Sequence, residues 1–142
     1  MASFSCTGLD DFILSMEEIA QLPEEVVDDM LNAQADVLVE AQRSEGMAMG
    51  VHSKGGGQTL KSIKKGKVKT KKGQRVLYVT PTGTRKRGKK RVRNAEIAFI
   101  NEYGKKGQKA RPFIRVANEK SARQTTQVAM NVYDQFLKSK NL

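Results

Sequence analysis

Apolar residues recur at helical spacing through the first fifty residues of the chain. Over residues 9–22 this spacing predicts a short helix, which Thr7 or Asp10 is placed to cap. Pro23 suits the first turn of a second helix, and acidic residues crowd the start of that helix, where negative charge is favoured. The second helix is predicted to run to about Glu45, which makes it roughly 34 Å long.

Glycine residues interrupt the helical pattern in the middle of the chain. Several of them fall between Gly46 and Gly57, and glycine lowers the stability of a helix. The next apolar positions are close together in the sequence, over residues 59–63. We expect a single turn there that places Leu60 and Ile63 in the core.

Alternation of apolar and basic residues marks the stretch that follows. Residues 67–70 and the β-rich run 76–80 predict the two strands of a hairpin, with a glycine-containing turn between them. Residues 84–91 are basic and broken by glycine, which predicts a mobile loop. Val92 is placed to close a third, short strand.

Two further helices are predicted towards the C-terminus. Asn94 is placed to cap a helix over residues 95–103, and Gly104 fits the C-terminal stop of that helix. After a loop, Pro112 opens the last helix, whose apolar face recurs every three or four residues as far as Phe136. The element order is therefore helices, then a hairpin, then two helices.

The size and the cysteine content limit the class of protein. The chain has 142 residues and a mass of 15.8 kDa, the usual size of one domain. A single cysteine, Cys6, excludes a disulfide framework, and with the single histidine, His52, it excludes the common four-ligand zinc sites. The apolar runs are too short for a membrane-spanning helix, and the first residues lack a secretory signal pattern. We expect a soluble, intracellularly made protein of one domain, residues 1–142, without membrane partners.

Charge is distributed unevenly along the chain. The formal net charge is +11, but residues 1–50 carry eleven acids and one base, whereas residues 51–142 carry 25 bases and four acids. No acid occurs from residue 51 to residue 95, where sixteen bases lie between Lys54 and Arg93. This asymmetry favours either a nucleic-acid surface or an association in which the acidic part of one subunit meets the basic part of another.

Catalysis has little support in the sequence. A Ser/His/Asp or Cys/His arrangement would have to use His52 or Cys6, and the paired acids near Pro23 are typical of a solvated helix start. The triple glycine at 55–57 lacks the Gly-Lys-Ser/Thr ending of a phosphate-binding loop. We therefore expect no enzyme activity, no catalytic residues, no cofactor and no metal.

A run of bases is the first candidate for a contact with a partner or with DNA. Paired with the preceding strand, it would form one positive surface able to neutralise phosphates. Of the aromatic residues only Tyr78 is nearby, so base stacking is poorly supported, and no DNA-reading helix motif is present. The alternatives are a sequence-independent nucleic-acid contact and a loop that orders on a protein partner. The candidate residues are Arg85, Lys86, Arg87, Lys89, Lys90 and Arg91.

The most specific local pattern is a predicted corner between the last two helices. Gly104 ends one helix and Pro112 begins the next, so the two helices form an angled pair over a short loop. Glu102 and Arg111 flank this loop and are placed to pair across it, and Phe113 is placed to pin the corner into the core. The corner residues, for which we expect a structural role, are Glu102, Tyr103, Gly104, Arg111, Pro112 and Phe113.

The same residues carry a family resemblance. The stretches AEIAFINEYG, which ends at Gly104, and ARPFIRVA, which contains Phe113, resemble the signature of the tail-completion (head–tail junction) proteins of long-tailed bacteriophages. The element order matches over nearly the whole chain, residues 8–136. Two positions depart from the family pattern: Lys105 replaces a small hydroxyl residue, and Val116 replaces a second proline.

The resemblance implies a structural protein of the virion neck. Such proteins form rings of identical subunits, which we expect to be hexamers or dodecamers, that complete the tail and join it to the DNA-filled head. The implied partners are further copies of the chain and the adjoining neck and tail proteins, with assembly in the bacterial cytoplasm and a final place at the head–tail junction. The alternative function is a basic protein that binds nucleic acid without regard to sequence.

The implied fold is α+β, with an antiparallel sheet packed with a long N-terminal helix and a C-terminal helix. The predicted parts are an acidic helical part (8–46), a basic hairpin and loop (59–93) and a helix–loop–helix (94–138). In a ring the contacts are heterologous, and complementary charge would speed assembly and set its register. The predicted subunit interface joins an acidic helix start to a neighbour's basic hairpin, through Glu24, Glu25, Asp28 and Asp29 on one side and Lys67, Lys69 and Arg75 on the other.

Overall fold

The fold is known from a computed structural model, which describes residues 22–51 and 56–140. These residues form an α+β fold of four helices and six strands. All of the predicted helix at 9–22 except its last residue lies outside the described residues, as do its candidate caps and the residues Cys6 and His52. In chain order the elements are α1 (Glu24–Ala48), α2 (Gly56–Lys61), β1 (Ile63–Lys65), β2 (Lys69–Lys71), β3 (Gln74–Val76), β4 (Val79–Pro81), β5 (Thr84–Arg87), β6 (Lys90–Arg93), α3 (Asn94–Tyr103) and α4 (Phe113–Ser139).

The two long helices, α1 and α4, pack against each other along their length. The buried positions of α4 include Phe113, Ala117 and Ser121, which are four residues apart and so lie on one face. Ala117 and Ser121 are small, and with Ala35 on α1 they allow the two helices to approach closely. The predicted apolar face of the last helix is therefore confirmed.

The strands form three separate antiparallel pairs, β1 with β4, β2 with β3 and β5 with β6. The single strand predicted over 76–80 is wrong: Val76 ends β3 and Val79 begins β4. The β1–β4 and β2–β3 pairs belong to one long hairpin whose regular pairing is interrupted in the middle. At the interruption the Gly66 amide donates to the Tyr78 carbonyl at 2.8 Å. The β2–β3 turn holds Lys72 and Gly73 at positive φ, as a type I′ turn requires.

The mobile loop predicted over 84–91 is also wrong, because these residues form the β5–β6 hairpin. Its two-residue turn contains Gly88 at a φ of 67°, a conformation that favours tight hairpin turns. The short strand predicted at Val92 is present in β6. The run of charges lowers the strand propensity of the segment, so the turn glycine is the better indication in the sequence that a hairpin forms here.

The core lies where α2, α3, β1 and the start of α4 meet. Its fully buried side chains include Phe113, Ile63 and Leu60. The predicted burial of Leu60 and Ile63 is confirmed, although the turn around them is the helix α2 followed by the first residue of β1. Gly46 of α1 lies against this core, because a methyl group there would collide with the Leu60 side chain.

Arg43, the only base in the first fifty residues, connects α1 to the segment between α2 and β1. Its guanidinium donates to the carbonyls of Leu60 and Lys61 at 3.2 Å and of Ile63 at 2.6 Å. A planar guanidinium with five N–H donors can bond several carbonyls at once, so this side chain holds the short helix and the first strand on α1. Among the described residues, no helix is long and apolar enough to cross a bilayer.

Candidate functional site

The corner between α3 and α4 is built largely as its sequence predicts. Gly104 follows the last turn of α3 with a φ of 77°, and its amide donates to the Ile100 carbonyl at 2.8 Å. Pro112 precedes α4, and Phe113, the first residue of that helix, is fully buried. The predicted helix end at Gly104, helix start at Pro112 and core anchor at Phe113 are therefore confirmed.

The predicted pairing of Glu102 with Arg111 across the loop is wrong. The Glu102 carboxylate accepts from the amides of Ile114 at 2.9 Å and Arg115 at 3.0 Å. The Arg111 guanidinium donates to the Gly50 carbonyl at 2.9 Å. The first amides of α4 have no partner within their own helix, and the positive end of the helix attracts a carboxylate. Glu102 therefore joins the corner as a cap supplied from the neighbouring helix.

Asn94 has a different role from the one predicted. It is the first residue of α3, and its side-chain amide donates to the Thr82 carbonyl at 2.8 Å, with no capping hydrogen bond to the helix. Asn94 thus fastens α3 to the segment between β4 and β5.

Replacing Glu102 with alanine is expected to lower the free energy of unfolding by about 1–2 kcal/mol, because two amides of α4 lose a charged acceptor. Glu96→Ala on the same helix is the matched control, since Glu96 makes only an exposed ion pair with Arg93, worth about 0–1 kcal/mol. Urea denaturation of both variants checks the prediction. Equal losses would show that the Glu102 cap contributes nothing beyond a surface charge.

Tyr103, grouped with the corner on sequence grounds, does not pack into the core. Its side chain is 69% exposed and lies beside Phe99, which is 62% exposed. Their ring centroids are 4.7 Å apart, within the range of favourable aromatic pairs. The corner therefore presents two aromatic rings on the outer side of α3.

The acidic start of α1 and the β2–β3 hairpin meet inside one chain. The Arg75 guanidinium binds the Asp28 carboxylate through two nitrogens, at 2.6–3.0 Å. The hydrogen bond to Asp28 is the main reason that the pKa of Arg75 lies above its ordinary value; desolvation opposes it, and the charges of Asp28 and Glu24 add to it. Lys65, the last residue of β1, makes a second ion pair with α1, to Asp36 at 2.8 Å.

Two residues of the predicted subunit interface are paired within one chain. Asp28 and Arg75 bind each other there, so this part of the expected charge complementarity is used inside the subunit. The remaining acids of the set, Glu24, Glu25 and Asp29, are exposed at the start of α1, and Lys67 and Lys69 are exposed on the hairpin.

The bases of the β5–β6 hairpin are divided between its two faces. Paired residues of an antiparallel ladder share a face and successive residues alternate, so Arg85 and Arg87 lie on one face, while Lys86 lies on the other with its partner Arg91. Lys89 lies in the turn. The candidate DNA-contact residues thus form two basic faces instead of one.

The face with Arg85 and Arg87 borders a cleft that the sequence pattern did not indicate. The cleft has a volume of about 380 Å³, and the loop between α3 and α4 supplies its other wall. We define the cationic cleft by its five charged residues, Arg85, Arg87, Lys105, Lys109 and Arg111. The only indication of this cleft in the sequence is the basic character of the loop 105–111, which begins twelve residues after the end of the hairpin.

The described residues contain no group of three or more histidine, cysteine or acidic side chains arranged to hold a metal ion. The geometry is thus that of a structural corner, an exposed aromatic pair and a cationic cleft. Comparison with family models, with curated proteins and with solved structures finds no match to this chain.

Proposed function

We propose that this protein is a structural component of a bacteriophage neck, where a ring of identical subunits completes the tail and joins it to the head. The observation that carries the proposal is the construction of the α3–α4 corner. The residues of the family signature are the ones that build it: Gly104 ends α3, Glu102 caps α4 and Phe113 anchors the core. A signature that specifies a corner is typical of a conserved architecture and not of a reaction.

The distribution of charge supports assembly from identical copies. Glu24, Glu25 and Asp29 are exposed at the start of α1 and, among the described residues, form no ion pair. Lys67 and Lys69 are exposed on the hairpin. Two complementary surfaces on one subunit suit a heterologous contact, the type that closes into a ring.

Light scattering at low and moderate salt, with and without the adjoining neck and tail proteins of the same phage, tests this proposal. We expect a defined ring, either alone or on addition of those partners, in six or twelve copies as the resemblance implies. A monomer that ignores all partners at both salt concentrations would refute the proposal.

Charge reversal locates the contact. Glu25→Lys combined with Asp29→Lys is expected to abolish the ring, because both residues lie on the exposed start of α1. The matched control is Glu40→Lys with Asp134→Lys, which makes the same change in charge at two exposed positions elsewhere. Rings that survive the first pair as well as they survive the control would place the contact on another surface, and the acidic helix start would be excluded from it.

A further inference from the structure

We propose that the cationic cleft binds phosphate groups of a nucleic-acid backbone. The inference is independent of the neck assignment, since it rests on charge, exposure and strand pairing within one subunit. The cleft is about 380 Å³ in volume, which is large enough to receive a phosphate with its flanking sugar.

Three of the five charges of the cleft form no ion pair within the described part of the chain. No acidic residue lines it, and none of Arg87, Lys105 and Lys109 forms an ion pair there. Other bases of the protein do find acceptors: Arg75 binds Asp28 and Lys120 binds Glu45. A concentration of unneutralised positive charge in a concave site focuses the field and attracts anions.

Arg111 is held in the cleft by an uncharged acceptor, which leaves its positive charge uncompensated by that contact. Arg111 donates to the Gly50 carbonyl through a single guanidinium nitrogen, which leaves its other N–H groups for a ligand. Guanidinium groups bind phosphate through two parallel hydrogen bonds, so a tethered arginine is suited to this ligand.

The pairing within the β5–β6 hairpin also indicates an anionic ligand. Lys86 lies directly opposite Arg91, and Arg87 lies directly opposite Lys90. Like charges in opposite positions of an antiparallel pair are destabilising, and a two-stranded hairpin has little stability of its own. A polyanion bound in the cleft would relieve the repulsion between Arg87 and Lys90, which share the hairpin face that borders the cleft.

The lining favours a nucleic-acid backbone over an acidic peptide or a base-stacking site. No aromatic residue lines the cleft, so bases have no ring on which to stack. Of its apolar lining residues, Val51 and Ile97 are 2% and 6% exposed and Ile100 is half-buried, so most of the surface open to a ligand is polar. Contact is therefore expected with phosphates alone, without regard to base sequence.

Fluorescence anisotropy with short labelled DNA duplexes of two unrelated sequences, over a series of salt concentrations, tests the proposal. The cleft variant is Arg87→Gln with Lys109→Gln, and the matched control is Lys61→Gln with Lys64→Gln, which removes two exposed charges outside the cleft. We expect the two duplexes to bind equally to the unmodified protein. In the cleft variant the slope of log K against log salt should become less steep by about two, and in the control it should hardly change.

Three results would overturn the inference. Equal changes of slope in the two variants would mean that binding is spread over the whole basic surface. Displacement of the duplex by polyglutamate at lower charge concentration than by pyrophosphate would indicate a carboxylate-bearing protein partner. Saturable binding of inorganic phosphate that is lost in the cleft variant, with duplex binding unchanged, would identify free phosphate as the ligand. Far-UV circular dichroism and urea denaturation of each variant separate these results from a failure to fold.

Discussion

Replacing Phe113 with alanine is expected to lower the free energy of unfolding by about 3–5 kcal/mol, the usual loss when a buried phenylalanine is truncated. The side chain is fully buried and belongs to the cluster with Leu60 and Ile63. It is also the first residue of α4, so its ring fixes the position at which the longest helix leaves the core. A domain of this size has a stability of about 5–15 kcal/mol, and the variant should lie close to the limit of folding.

Phe99→Ala provides the matched control, because it deletes the same atoms from a side chain that is 62% exposed. It is expected to change the free energy of unfolding by about 0.5 kcal/mol or less. Urea denaturation followed by circular dichroism measures both variants. Similar losses at the two positions would show that Phe113 is not an anchor of the core.

Gly104→Ala is expected to be the second most destabilising single change. Gly104 has a φ of 77° and a ψ of 176°, a region that is essentially restricted to glycine and costs about 1–3 kcal/mol for other residues. A methyl group there would also lie 2.9 Å from the Ala110 nitrogen and the Gln108 carbonyl oxygen. Both are backbone atoms of the loop, so relief requires the loop itself to move. We expect a total loss of about 3 kcal/mol or more.

Gly107→Ala separates the two causes. Gly107 lies in the same loop with a φ of 82°, but nothing is within 4 Å of the position that its methyl group would take. Its substitution should therefore cost only the conformational part, about 1–2 kcal/mol. If thermal unfolding shows the two alanine variants to be equally stable, the close approach of the loop to Gly104 is unimportant.

Within the described residues, the predicted helices and the buried residues depend on local patterns, and the structure agrees with them. A helix that buries one face has apolar residues every three or four positions along that face. This spacing located the ends of α1 and α4 to within a few residues. Gly104 was recognisable as a helix end and Pro112 as a helix start, because the backbone angles that glycine and proline favour do not depend on distant parts of the chain. Leu60 and Ile63 were identified because few other apolar residues are available near them.

The errors at the site concern the choice of partner. Glu102 was expected to pair with Arg111 across the loop, but the amides of α4 had no acceptor of their own and took the carboxylate. Asp28 and Arg75 were correctly identified as complementary, yet they meet within one chain. In each case the residue and its chemistry were evident, whereas the group that it meets depends on how distant segments pack.

The sequence by itself determined the two long helices, the core anchors and the separation of acidic from basic halves, because these follow from spacing, backbone constraints and composition. Only the tertiary structure decided that the basic run is a hairpin, that Glu102 caps α4 and that Arg85 and Arg87 face Lys105 and Lys109 across a cleft. The physical reason is that a charged or polar group can form hydrogen bonds or ion pairs with many partners, and the packing of the apolar core decides which partner lies within reach.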